Sequence, residues 1–537
     1  MNSSSKFNSF FALILVPLVL LLSSCSERSE YGKKSDYEKL GAACIPSSGE
    51  VTPPSVSSVS PTDNSTYNSV ATTAVVTFSE IMATGSVTTN TSDTTCSGSF
   101  QLSSDNFTTC IKMSAAPVAS DNDTIFTITP TSSLSAATTF KVKITTSVTD
   151  ISCNTLGSDN SSIVGFSTSP SGTGTFAGSV KMDNGSPLSG VSVSDALYGS
   201  TVATTTSDND GDFSQASLAL GMHSLTYSKS GYLDETLTEL LETDGETLYL
   251  ETVKLLDDNC TSGTMSGTIT DAVTGDNMSG VNLYYTKGKN KYFTWRTGTY
   301  FGQTEDNGSW SLPNSNYPSS ISAGWYTILS NKSGYYRGYH DAKNCSDKPY
   351  QNNALSPELN EGEMRIMLRW PKTNPVTAID LDSHLSIPNK DDNGTVHIWY
   401  GTNNGGQFND YYVYGANDNV TLDKDHNHNP SASGPAAPPG DETITITKIR
   451  SGTYSYSVHN YTDRGASTSS PSDNISKSGV KVKVFYNKEG TLVRKRFYVP
   501  NANGTLWSVF TFNSSGSGSG FTRDRDMTYE TTNSNIY

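Results

Sequence analysis

Apolar and polar residues alternate with period two through most of the chain. AVVTFSEIM (74–82), TIFTITP (124–130) and TFKVKITTSV (139–148) do so early, and MRIMLRWP, TVHIWYG, SGTYSYSVHNY, VKVKVFYN and LWSVFTF do so after residue 363. Second neighbours on a strand share a face, so each run predicts a strand with one face on a core, and the Gly, Asn, Pro and Ser clusters between runs predict turns. The fold class expected is all-β: β-sandwich domains in series. The composition agrees, with 44 Gly and few long helix formers.

The exception is the start, MNSSSKFNSFFALILVPLVLLLSSC, where an apolar run from Phe10 to Leu22 follows a single Lys6. The run is short and broken by Pro17, which reads as a secretory signal rather than a membrane span. Leu22-Ser23-Ser24-Cys25 resembles the bacterial lipobox. That resemblance implies a lipoprotein: residues 1–24 are removed, Cys25 carries acyl chains, palmitate among them, and residues 25–50 form a polar tether. Several chains on one cysteine anchor a protein far more firmly than one. Ser26 after the cysteine implies the outer membrane or cell surface, facing away from the cytoplasm.

An exported chain favours disulfides. Seven cysteines less Cys25 leave six. Cys96 with Cys110 and Cys260 with Cys345 are the favoured pairs; Cys44 and Cys153 are either paired with each other or free. The formal charge of −16 is spread along the chain. It gives no basic footprint for nucleic acid.

Residues 51–171 resemble the bacterial Ig-like domain first described in S-layer proteins, on the strength of SVSPTDNSTYNSVATTAVVTFSEIM, FTITPTSSLSAATTFKVKITTSVTDISCNTL and VGFSTSP. The family usually carries Gly where this chain has Cys153. An internal repeat follows: GSVKMDNGSPLSGVSV, SDNDGDF and LALGMHSLTYSKSGY recur as GTITDAVTGDNMSGVNL, EDNGSW and SAGWYTILSNKSGY. Gly211 and Gly308 suit tight hairpins, Phe213 and Trp310 return to the core, and Gly231 and Gly334 bend the chain before a Tyr expected to be exposed. Both copies, 174–256 and 260–358, resemble the carboxypeptidase regulatory-like domain, a transthyretin-like sandwich that is not itself a peptidase. No HxxE or HExxH signature occurs. Asp208, Asp210 and Asp212 read as hairpin chemistry rather than a calcium loop, because Ala219 stands where an EF-hand needs glutamate.

Residues 363–513 predict a larger antiparallel β domain, and the series LRW, DLDSHL, VHIWYG, LDKD, ETITI, SGTYSYSVHNY and VKVFYN resembles an uncharacterised domain of YfaP-type exported proteins. Residues 514–537 read as a flexible tail. This domain holds His384, His397, His426, His428 and His459 amid Asp380, Asp382, Asp423, Asp425, Asp441 and Glu442. Asp380, Asp382 and His384 share one strand face, but the outer two lie about 13 Å apart, so a metal needs a second element. LDKDHNH is the candidate, giving a metal set of Asp380, Asp382, His384, Asp423, Asp425 and His426. Carboxylates would favour calcium; imidazoles would favour zinc or manganese. The bland alternative is a half-exposed strand with structural Asp–His bonds. Trp399, Tyr400, Tyr411, Tyr412, Tyr414, Tyr454, Tyr456 and Tyr461 suggest either a carbohydrate or peptide groove or core packing.

No nucleophile–base pair is evident, so the chain reads as a non-enzymatic surface binding or adhesion protein that displays its last domain to a protein or carbohydrate ligand. The alternatives are a metal-dependent envelope enzyme using the Asp/His cluster, and a purely structural spacer.

Overall fold

The computed structural model describes residues 43–46, 49–291, 296–314, 320–349, 351–370, 380–391, 393–401, 410–426, 440–515, 520–524, 526–532 and 536. The expected signal segment, Cys25, most of the expected tether and His428 lie outside the described residues. The chain divides into two compact units, Met1–Ser169 and Pro170–Tyr537. Both are built almost wholly of strands.

In the first unit, Val56–Ser60, Ala74–Phe78, Ile125–Ile128 and Val118–Ser120 pair in that order as one sheet, and Phe100–Ser103 and Thr139–Ile144 lead a second. Alternation explains the core between them: Ala74, Val76, Phe78, Phe126 and Ile128 from one sheet meet Phe100, Leu102, Phe140, Val142 and Ile144 from the other. Two disulfides brace this unit, Cys44–Cys153 and Cys96–Cys110. Cys153 takes φ of 72°, the left-handed conformation that favours Gly. The cysteine therefore fits the turn where related domains carry Gly.

In the second unit the sequence repeat is also a repeat of topology. Thr173–Met182 pairs antiparallel with Asp212–Ala219 and parallel with Thr247–Tyr249 and Val253–Leu255. In the second copy Met265–Asp271 pairs antiparallel with Ser309–Leu312 and parallel with Asn353–Leu355. Each copy adds a four-stranded sheet of matching order. Cys260–Cys345 ties the second copy's ends together. Gly211 has φ of 80°, and a Cβ there would lie 2.3 Å from the Val180 carbonyl oxygen, so the hairpin requires glycine. Asp208 Oδ1 accepts from the Asp210 and Asp212 N–H groups at 3.0 and 2.9 Å, the hairpin role expected of it. Tyr232 and Tyr335 correct an expectation: both are half-buried against their cores, and Tyr335 Oη donates to Asp271 Oδ2 at 2.8 Å.

The last region forms two facing sheets, its strands numbered β1 (Met364–Trp370), β2 (Leu381–Pro388), β3 (Thr395–Ile398), β4 (Tyr411–Gly415), β5 (Asp418–Lys424), β6 (Gly440–Ile446), β7 (Thr453–Asn460), β8 (Lys481–Lys488), β9 (Thr491–Tyr498), β10 (Leu506–Asn513), β11 (Gly520–Arg523) and β12 (Met527–Thr528). One sheet has the order β4-β5-β6-β1-β8-β9; the other has β3-β2-β7-β10-β11, with β12 also on β10. Met364, Ile366, Leu368, Ile444 and Val482 of the first sheet pack on Leu381, Leu385, Tyr454, Tyr456 and Phe510 of the second. The expected flexible tail is corrected in part: β11 and β12 extend the second sheet, and Phe521 packs on the core, which repays ordering so short a strand.

The three modules of the second unit are joined by buried and half-buried polar contacts. Lys289 Nζ lies 2.8 Å from Glu251 Oε1; Lys481 Nζ lies 2.8 Å from Glu251 Oε2 and 3.3 Å from Asp341 Oδ2. Asn290 Nδ2 donates to Glu239 Oε1 at 3.0 Å and to Tyr498 Oη at 2.9 Å. Glu239 and Glu251 belong to the first repeat, Lys289, Asn290 and Asp341 to the second, and Lys481 and Tyr498 to the terminal region. Stacking of Tyr336 on Phe485, with centroids 5.3 Å apart, adds an apolar contact between the second repeat and the terminal region.

Candidate metal centre

Strand β2 lies between β3 and β7, which pair with it in antiparallel register. Leu381, Leu385 and Ile387 point to the sandwich core, and so Asp382, His384 and Ser386 occupy the opposite face. That face is also buried: Asp382 is 4% exposed, His384 2% and His459 0%. Register places Asp382 directly across from His459 on β7. It also places Ser386 across from His397 on β3.

Asp382, His384 and His459 each bring one donor atom within 4.8 Å of a donor atom of the other two. The remaining imidazole nitrogens are held in place. His384 Nδ1 and His397 Nε2 share a hydrogen bond of 2.9 Å, and His459 Nε2 lies 2.9 Å from the Glu530 carbonyl oxygen. Among the described residues, Asp382 Oδ2, His384 Nε2 and His459 Nδ1 have no hydrogen-bond partner. Aromatic rings fix the imidazoles further: the Trp399 ring stacks on His397 at 5.5 Å and on His384 at 5.8 Å, and His459 meets His384 edge-on at 5.8 Å.

Burial sets the electrostatics. It drives the His384 pKa well below the ordinary value, with His397 and His459 adding to the effect, and takes His397 down to about 4. His459 is lowered by burial against the opposing pull of the Glu530 carbonyl. All three rings are therefore neutral at pH 7, the state that ligates metals. Burial pushes Asp382 up to about 8, reinforced by the charges of Asp380 and Asp425. Glu442 is raised well above the ordinary range, first by burial and then by Asp382 and Asp425.

A second constellation shares Asp382. Donor oxygens of Asp382, Asp425 and Glu442 lie within 4.8 Å of one another, with Asp425 exposed. Glu442 projects from β6 of the facing sheet, and its Oε2 accepts from the Ser383 N–H at 2.7 Å.

The metal set expected from sequence is thus brought together only in part. Asp382 and His384 converge, and Asp425 reaches Asp382. Asp380 precedes β2, its N–H donating to Thr462 Oγ1 at 2.8 Å. Asp423 instead accepts from Thr445 Oγ1, and His426 packs edge-on against Trp370 at 5.7 Å. LDKDHNH thus supplies Asp425 alone, and the imidazole that joins Asp382 and His384 comes from β7, the neighbour of β2 in its own sheet, whereas β5 belongs to the other. His459 was recognisable only as a histidine on a period-two strand. Of the aromatics, Tyr414, Tyr454 and Tyr456 lie in the core, as their shared strand faces allow, while Tyr411 is exposed.

Another carboxylate group, Glu50, Glu80 and Asp150, lies in the first unit. Its oxygens engage local donors: Asp150 Oδ1 accepts from the Ser152 and Asn154 N–H groups, each at 2.8 Å.

Family comparison bears on the modules before this site. A model described as bacterial Ig-like domain matches residues 50–168, and one described as carboxypeptidase regulatory-like domain matches residues 175–255. The chain carries one domain of each kind. No curated protein matches the chain. Among solved structures, the Bacillus anthracis TIE protein is similar over 84% of this chain and 73% of its own, at 12% identity and a TM-score of 0.15. The shaft pilin SpaA from Lactobacillus rhamnosus GG is similar over 35% of this chain and 98% of its own, at 13% identity and a TM-score of 0.14. Native alpha-2-macroglobulin from Escherichia coli, spanning domains MG0-NIE-MG1, is similar over 55% and 97%, at 14% identity and a TM-score of 0.16. Similarity this slight carries no functional information.

Proposed function

We propose that this chain is an extracytoplasmic, non-enzymatic binding or adhesion protein, held at the outer membrane or cell surface by lipid on Cys25, with its recognition surface in the terminal β region. The observation that carries the reading is the partly buried network of Glu251, Lys289, Asn290, Asp341, Lys481 and Tyr498. It fixes the two repeats and the terminal region as one scaffold, which suits a module that must be presented in a defined orientation. Inter-domain contacts are otherwise expected to permit relative motion. The three disulfides suit an oxidising compartment. We take the second repeat, by its matching topology, as a second carboxypeptidase regulatory-like module.

The rival reading, a metal-dependent envelope enzyme, draws on Asp382, His384 and His459. A catalytic metal needs a coordination position open to substrate. Donors exposed by 4% or less do not provide one from their own surfaces.

Two experiments test the proposal. Metabolic labelling with an alkynyl palmitate should mark the wild-type chain and not Cys25→Ala, whose loss from the membrane fraction should follow; equal labelling of both refutes the anchor. Glycan and peptide arrays probed with the full chain and with a chain ending at residue 169 should show binding that requires residues 170–537. Equal capture by both would refute the placement of the recognition surface.

A further inference from the structure

In the terminal region Asp382, His384 and His459 each bring a donor atom within 4.8 Å of the others, and each holds one buried side-chain atom, Oδ2, Nε2 and Nδ1 respectively, without a hydrogen-bond partner among the described residues. The chemistry of their outer contacts shows what they offer. The Glu530 carbonyl can only accept a hydrogen bond, so His459 Nε2 carries the proton and Nδ1 presents a bare lone pair to the cluster. His384 Nδ1 is engaged with His397 Nε2, and when Nδ1 is the donor His384 Nε2 presents a second lone pair. Asp382 Oδ2 is a third acceptor. With Asp382 ionised, these three acceptors gathered in a dry place repel one another unless a cation lies between them; without one, a proton on the carboxyl takes the cation's place. Both histidines also have the outer hydrogen bonds that metal-ligating histidines characteristically make through the far nitrogen.

We propose that Asp382, His384 and His459 bind one divalent transition-metal ion of the zinc class. Two imidazoles and one carboxylate suit zinc far better than calcium, which takes six to eight oxygens. The exposed Asp425, with an oxygen close to Asp382, offers a route of approach from solvent. The ion would bridge β2 to β7 directly and, through the His459–Glu530 hydrogen bond, fasten the segment that follows β12. This role is structural and does not depend on what the protein recognises.

The test is zinc titration of the full processed chain after chelator treatment, by competition with a chromophoric chelator and by elemental analysis. One equivalent of zinc should bind, and Asp382→Asn or His459→Gln should weaken binding by about 100-fold or more. Asp423→Asn and His426→Gln should leave it within about threefold. A second measurement on the wild-type chain does not depend on variants folding: zinc should shift the 15N resonances of His459 Nδ1 and His384 Nε2, and cobalt(II) should give visible d–d bands in the same stoichiometry. No zinc bound at micromolar concentration, binding indifferent to Asp382→Asn and His459→Gln, or nitrogen shifts confined to other histidines would each overturn the assignment.

Discussion

Replacing Glu251 with Gln separates the charge of the inter-module network from its shape. The carboxylate sits against two ammonium groups at 2.8 Å, and the Lys289 side chain is only 3% exposed. Removing one partner of a buried ion pair typically costs about 3–5 kcal/mol, mostly through the charge left behind. Here the lower end applies. Lys481 keeps Asp341 at 3.3 Å, and Lys289 keeps the face of Trp325 at 4.4 Å. The new amide oxygen can also still accept from Asn290 Nδ2, which lies 3.3 Å from Glu251 Oε2. Glu251→Gln should therefore destabilise the second unit by about 3 kcal/mol. All six tryptophans lie beyond residue 169, so their fluorescence in a urea titration reports that unit alone. Unfolding of the isolated first unit, followed by circular dichroism, locates its own transition, which the substitution should not move in the full chain. Adding Lys289→Met, which removes the stranded charge and can still touch Trp325, should recover all but about 1 kcal/mol. A loss below about 1 kcal/mol, or a double variant worse than the single one, would show that the network does not hold the modules together.

Other expectations follow from single positions. Burial raises the Glu235 pKa from 4.5 to about 7. The folded state thus holds a proton that the unfolded chain has released; the stability from this group is complete below pH 4.5, falls as pH rises toward 7, and is lost above it, by about 3 kcal/mol in all. Glu235→Gln should flatten that part of the stability–pH curve measured by urea titration, and an unchanged slope would refute the assignment. Gly211→Ala should cost at least about 2 kcal/mol, since positive φ and the close Val180 carbonyl act together, whereas Gly231→Ala, with φ of 86° and open space around its Cβ, should cost about half as much by the same titration. Replacing both Cys44 and Cys153 with Ser opens a loop whose ends are 109 residues apart and should destabilise the first unit by about 2–4 kcal/mol, read by its denaturation midpoint. No change would mean that the bridge does not constrain the unfolded chain.

The architecture was legible wherever a local pattern carries the information. Period-two runs such as Ala74–Phe78 and Thr139–Ile144 became strands because only that spacing puts Val76, Phe140 and Val142 on one core. The repeat was legible because Gly211 and Gly308 meet the same hairpin demand twice, with φ of 80° and 76°. What escaped was burial imposed from outside a module. Tyr335 looked exposed because its neighbours are Lys, Ser and Gly, yet Asp271, distant in sequence, supplies a partner for its hydroxyl. Residues after 513 looked loose because β11 is four residues long, too short to display a period, and its order comes from pairing with β10.

The candidate centre shows the same division. Asp382 and His384 announce themselves by two-residue spacing on one strand, and strand geometry requires a second element. It cannot name that element, because which strand lies beside β2 is a matter of sheet order, and the connection from β2 to β7 passes through four strands. LDKDHNH, with more donors, is favoured by chemistry and brings only Asp425 to Asp382; SYSVHNY, with one histidine, is the neighbour by topology. Register then decides the rest. A one-residue slip of β7 would turn His459 to the other face and bring Val458 or Asn460 across from Asp382. Core packing of Tyr454, Tyr456 and Val458 fixes that register. The residues that select the donor set are thus the apolar ones on the reverse side of the same strand.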